Sequence, residues 1–84
     1  MVSVDILDTA GTLYLRMNKV EPARQYFEEI IRRDPDNAMA SFRLGQIYDR
    51  QGRSDRAEQA FANAKRLAPT ENWEARKAEA GLGN

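Results

Sequence analysis

The sequence predicts an all-α fold, a helical-hairpin repeat of five antiparallel helices forming one domain over residues 1–84. Three observations predict it. Five residues recur at a constant offset of 34 positions: Gly11 and Gly45, Tyr14 and Tyr48, Ala23 and Ala57, Phe27 and Phe61, Pro35 and Pro69. A fixed period of this size marks a repeat array. Apolar residues fall at three- and four-residue steps along most of the chain, which is the helical period. Short segments rich in glycine, proline, asparagine and aspartate separate those stretches, so successive helices lie antiparallel.

The first helix is expected from Val4 to about Asn18, with Ile6, Leu7, Ala10, Leu13, Tyr14 and Met17 as its apolar stripe. Ser3 suits the N-cap, where its hydroxyl can accept from an unpaired amide. Gly11 sits mid-helix, a position that costs about 1 kcal/mol against alanine and is tolerated where another backbone comes close. Asn18 and Lys19 end the helix, because asparagine accepts the left-handed conformation. The second helix runs from Glu21 to about Arg33 and buries Ala23, Tyr26, Phe27, Ile30 and Ile31. Pro22 fits its first turn, where a missing N–H loses no helical bond. Asp34 and Pro35 stop it, and Asn37 or Asp36 caps the next.

The third helix spans Ala38 to about Gln51, with Ala40, Leu44, Ile47 and Tyr48 inward, Gly45 in mid-helix and Gly52 at its C-terminal end. Ser54 is expected to cap a fourth helix from Asp55 to about Leu67, whose inner face is Ala57, Ala60, Phe61, Ala64 and Leu67. A shorter fifth helix begins at Glu71 or Asn72, is capped by Thr70 or Asn72, and ends near Ala80. Trp73, Ala75, Ala78 and Leu82 are its apolar members, and Gly81 and Gly83 close it.

Composition narrows the function. Thirteen basic and thirteen acidic residues cancel, which argues against nucleic acid or an anionic membrane as the main partner. Residues 1–37 carry seven acids and five bases, and residues 38–71 carry four acids and six bases. That mild asymmetry is compatible with head-to-tail packing. There is no cysteine and no histidine, so the commonest metal ligands and general base are missing. The acidic pairs Glu28–Glu29 and Asp34/Asp36 lie on a solvated helix side and in a turn, where nothing pushes their pKa values apart. The reading is therefore non-enzymatic, with no cofactor and no metal. No apolar run reaches the ~20 residues of a membrane helix. The start MVSVDILDTAG has two aspartates and no base, unlike a secretory signal, so the cytoplasm is the default location.

With the residues placed, the chain resembles the tetratricopeptide repeat, a helix–turn–helix unit with the pattern W-x2-L-G-x2-Y…A-x3-F…P. In residues 38–71 Leu44, Gly45, Tyr48, Ala57, Phe61 and Pro69 match, while Ser41 stands at the tryptophan position. In residues 4–37 Gly11, Tyr14, Ala23, Phe27 and Pro35 match, with Leu7 and Ala10 at the tryptophan and leucine positions. Residues 72–84 look like the capping helix that ends such arrays.

The resemblance implies a non-catalytic protein-interaction module whose groove is lined by the first helix of each repeat. The implied groove residues are Asp5, Asp8, Thr12, Leu15 and Arg16, then Met39, Phe42, Gln46, Asp49 and Arg50, then Trp73 and Arg76. Phe42 and Met39 carry most of this reading, as an exposed aromatic beside methionine suits peptide binding. The competing reading packs Phe42 against Trp73 as part of the cap. A clamp for carboxylate-terminated chaperone tails would use Asp8, Thr12, Arg43, Trp73 and Lys77, and only the last is basic where it should be.

An alternative of another class is a structural assembly unit. The first helix has no preceding repeat to cover its Val2, Val4, Ile6 and Leu13 side, so self-association through the repeat ends, or exchange of the fifth helix, would supply the missing contact. A third reading, part of a longer array, is weakly opposed at the N-terminus by Met1.

Overall fold

The structure, a computed structural model, describes residues 2–81. It contains helices α1 (Val4–Arg16), α2 (Val20–Arg33), α3 (Ala38–Arg50), α4 (Ser54–Leu67) and α5 (Trp73–Gly81). Leu82 and Gly83, expected at the end of the fifth helix, lie outside the described residues.

Local chemistry explains most helix ends. Ser3 Oγ accepts the Ile6 amide at 3.3 Å and starts α1. Asn37 Oδ1 accepts the Ala40 amide at 3.0 Å and starts α3. Asn72 Oδ1 does the same for Ala75 at 3.1 Å. The α1–α2 and α3–α4 turns are built alike. Asn18 has φ 59° and Gly52 has φ 75°. In each turn the next amide reaches back to a tyrosine carbonyl, Lys19 to Tyr14 and Arg53 to Tyr48, both at 2.8 Å. These bonds satisfy carbonyls that the helix end leaves open. The left-handed residue comes two positions after the last helical one, so α1 ends at Arg16 rather than Asn18.

Ser54 does not cap α4. The turn is tight enough that Arg53 is the cap, with its carbonyl accepting the Ala57 amide at 2.9 Å, and Ser54 is already the first helical residue. Lys19 stands in the same place before α2.

The core joins Leu7 and Leu15 of α1, Ala23, Phe27 and Ile30 of α2, and Ala40, Leu44 and Ile47 of α3. The two mid-helix glycines make room for aromatic rings rather than for backbone. A Cβ on Gly11 would stand 2.8 Å from Phe27 Cε2, and one on Gly45 would stand 2.6 Å from Phe61 Cε1. Each hairpin therefore closes by seating the phenylalanine of its second helix on the glycine of its first. Tyr14 stacks on Tyr26 with centroids 5.6 Å apart, sealing the edge of the first hairpin.

The predicted stripe of the first helix needs correction. Leu7, Gly11 and Leu15 face the core, while Ile6, Leu13 and Met17 are more than half exposed. The reason is position in the stack. α3 lies between α2 on one side and α4 on the other, so apolar residues on several of its faces are covered. α1 packs on α2 and, among the described residues, no helix covers its outer side.

Candidate partner-binding face

Residues four, seven and eleven positions apart share a helix face. On α1 Asp5, Thr12 and Arg16 form such a set, and on α3 Met39, Arg43, Gln46 and Arg50 do. Asp5, Arg16 and Arg50 are exposed, while Thr12, Met39, Arg43 and Gln46 are half-buried. Arg50 Nη1 donates to the Leu15 carbonyl at 2.9 Å, which sets the C-terminal ends of α1 and α3 side by side. Arg43 Nη1 donates to Gln46 Oε1 at 3.1 Å within the same face. The result is one polar surface across two helices, with methionine at one end and arginines at the other.

The remaining groove candidates fall elsewhere. Leu15 is 5% exposed and belongs to the core. Phe42 is 1% exposed, so the expected open aromatic is absent from the surface. Its ring lies 5.0 Å from Trp73 and 5.6 Å from Phe61, and the Arg43 guanidinium lies 5.7 Å from its centroid. The packing reading of Phe42 is the one observed. Phe42 follows Met39 by three residues and precedes Gln46 by four, so it borders the same face, and its ring is taken up between Phe61 of α4 and Trp73 of α5. Asp8 is half-buried and Asp49 exposed.

Trp73 is half-buried, and its indole Nε1 donates to the Ala68 carbonyl at 3.1 Å. It ties α5 to the end of α4 and closes over Phe42. Arg76 Nε donates to Glu71 Oε1 at 2.6 Å, bracing the turn that leads into α5. Lys77 Nζ lies 4.9 Å from the Phe61 ring centroid. Between α4 and α5 is an open cavity of about 360 Å³ floored by Phe42, Phe61 and Trp73.

Arg43 is the residue that sequence reasoning undervalued. The sequence reading places it only at a clamp position, although its place four residues after Met39 and three before Gln46 puts it in the middle of the face.

The acidic residues of α2 serve structure. Arg24 donates to Glu21 at 2.8 and 3.0 Å and to Glu28 at 2.7 Å. Glu29 accepts from both Arg32 and Arg33. Those bonds, from Arg32 first and Arg33 second, hold the Glu29 carboxyl down to about 2, and the bond from Arg24 lowers Glu21. Glu28 and Glu29 thus serve separate arginines and do not form an acid–base pair. Among the described residues no group of three or more carboxylates is placed to hold a metal ion, and no helix is long and apolar enough to cross a membrane.

The chain thus consists of two helical hairpins of the same build, each closed by phenylalanine on glycine, followed by α5. The family profile for the tetratricopeptide repeat matches residues 9–72, more than half of the chain. The chain belongs to the tetratricopeptide-repeat family. A comparison with curated proteins finds no match. Proteins built of tetratricopeptide repeats serve generally as protein-interaction modules. The helix boundaries observed here accommodate two such repeats followed by a capping helix.

Proposed function

We propose that this tetratricopeptide-repeat chain is a non-catalytic module that holds a peptide segment of a partner protein across the α1–α3 face. The observation that carries this is the set Asp5, Thr12, Arg16, Met39, Gln46 and Arg50, mostly polar and exposed or half-buried, aligned across two helices whose other positions close the core. None of the six is among the buried core residues. A rigid helical pair loses little conformational freedom on binding, so contacts made there translate into affinity.

The chemistry of the face favours a segment carrying carboxylates and one apolar side chain. Arg16 and Arg50 supply planar donors for carboxylates. Met39 supplies an adaptable apolar contact. Since Phe42 is buried, recognition proceeds without an aromatic anchor on α3, and moderate affinity is expected.

Selection of a displayed random-peptide library against the chain tests this. Recovered peptides should be rich in Asp and Glu. Met39→Asp should weaken the best of them at least tenfold, about 1.4 kcal/mol, with helicity unchanged. Equal binding by wild type and Met39→Asp removes the assignment of this face.

A further inference from the structure

The open end of the stack carries a self-complementary stripe. Val2, Ile6, Leu13 and Met17 run along the outer side of α1 and are 48–61% exposed. The equivalent residues one repeat later identify this as a stacking face. Ile6, Ala10 and Leu13 correspond to Ala40, Leu44 and Ile47, which are 8% exposed or less and lie in the core shared with α1 and α2. Terminal units of a repeat stack ordinarily present a polar outer side. At the other end α5 exposes the charged residues Glu74 and Lys77. At this end the outer side is apolar.

The order of residues along the stripe points to its occupant. Within the helix Ile6 and Leu13 are placed symmetrically about a point between Thr9 and Ala10, and Val2 before its N-cap and Met17 at its C-cap extend the stripe at either end. One flank of the stripe carries Asp5 near one end and Arg16 near the other, both exposed and, among the described residues, without an ion-pair partner. A two-fold axis perpendicular to the helix keeps the same flank of both helices on the same side while reversing their direction. Each Asp5 then comes within about two residues, ~3 Å of helix rise, of an Arg16 of the opposite copy rather than beside its own kind, an offset the long arginine side chain spans. Isologous contacts require such reciprocity.

We propose that α1 docks antiparallel on α1 of a second copy of this chain, with Ile6 against Leu13 of the other chain and Asp5 paired with Arg16 across the interface. A single helix pair buries less than the ~800 Å² per partner of a standard interface, so the dimer is weak and forms over ~10 µM to ~1 mM. Head-to-tail stacking is disfavoured because Trp73 and Lys77 already occupy the receiving end beside Phe42 and Phe61.

Sedimentation equilibrium of the full 84-residue chain tests this. The mass of wild type should rise from 9.6 kDa towards twice that value as concentration increases, and Leu13→Glu should hold it at the monomer mass. Asp5→Arg and Arg16→Asp should each weaken the dimer about tenfold. Mixed in equal amounts they should recover to within about threefold of wild type, because both cross-interface pairs then unite opposite charges. Circular dichroism at low concentration establishes that each variant is folded. Should either charge variant fail to fold, Thr9→Cys in this otherwise cysteine-free chain provides the readout, since it lies beside the two-fold axis and should form a linked dimer on mild oxidation. A wild-type mass of 9.6 kDa throughout overturns the proposal. So does a dimer whose charge variants do not rescue one another, or one in which Thr9→Cys fails to link.

Discussion

Replacing Gly11 by alanine sets two effects of known size against each other. In an exposed helix interior the change gains about 0.8–1 kcal/mol from backbone propensity. Here the new methyl would stand 2.8, 2.9 and 3.2 Å from Phe27 Cε2, Cζ and Cδ2. Carbon atoms pack best at about 3.5–4 Å, so the ring or the helix must shift by several tenths of an ångström at least. Phe27 is 0% exposed and has no free side to move into. Overpacking of a closed core costs about 1–3 kcal/mol, and the enclosed ring places this site in the upper half of that range. The net expectation is a loss of about 1–2 kcal/mol. For a domain of this size each kcal/mol lowers Tm by about 4–8 °C. Urea unfolding followed by circular dichroism measures it. The double variant Gly11→Ala/Phe27→Leu should be less unstable than the sum of its parts, because the leucine no longer reaches the methyl. A stability gain of about 1 kcal/mol from Gly11→Ala alone would refute the argument that the ring dictates the glycine.

Other expectations follow from the same structure. Gly52→Ala should cost about 1–2 kcal/mol through its positive φ alone, since a Cβ there meets nothing within 4 Å. Asn18→Gly, at the matching turn, should gain about 0.5 kcal/mol. Thermal melts of both variants decide this, and a cost for Asn18→Gly would contradict it. Phe42→Leu should lower stability by about 1–2 kcal/mol through lost aromatic packing. It should also red-shift the emission of Trp73, the single tryptophan, and an unmoved spectrum would contradict the Phe42–Trp73 contact. Glu29 titrates near 2 when folded, against an ordinary value of 4.5, because Arg32 and Arg33 donate to it. A depressed carboxyl binds fewer protons folded than unfolded. Its contribution is therefore complete above pH 4.5 and is lost as pH falls towards 2. Glu21 is shifted in the same direction. Melts at descending pH should show this fall, Glu29→Gln should reduce it, and a Tm constant down to pH 2 would contradict it.

The repeat period made the hairpins legible, because Gly11, Phe27, Gly45 and Phe61 meet within each repeat and need no distant information. Capping was legible where a side chain does the work, as at Ser3 and Asn37. It failed at Ser54, where the cap is set by a backbone bond from Arg53 that residue type does not announce. Periodicity found the apolar residues of the first helix but not which neighbour covers them. Ile6 and Leu13 share the spacing of core residues and yet are exposed, since exposure depends on which helix packs against each side and not on spacing alone. The candidate face suffered from the same limit. Phe42 has the helical spacing of the face, three residues from Met39 and four from Gln46, yet its ring is covered by Trp73. Surrounding packing, not the residue itself, decided between a ligand contact and a sealed cap.

The central claim is that recognition uses the residues of α1 and α3 that the repeats do not need for packing. Amide chemical-shift mapping of the chain, titrated with the best peptide from the library selection, tests it most directly. The account predicts that the largest shifts fall on Asp5, Thr12, Arg16, Met39, Gln46 and Arg50. Shifts concentrated on the outer side of α2 and α4, with those six amides unmoved, would contradict it.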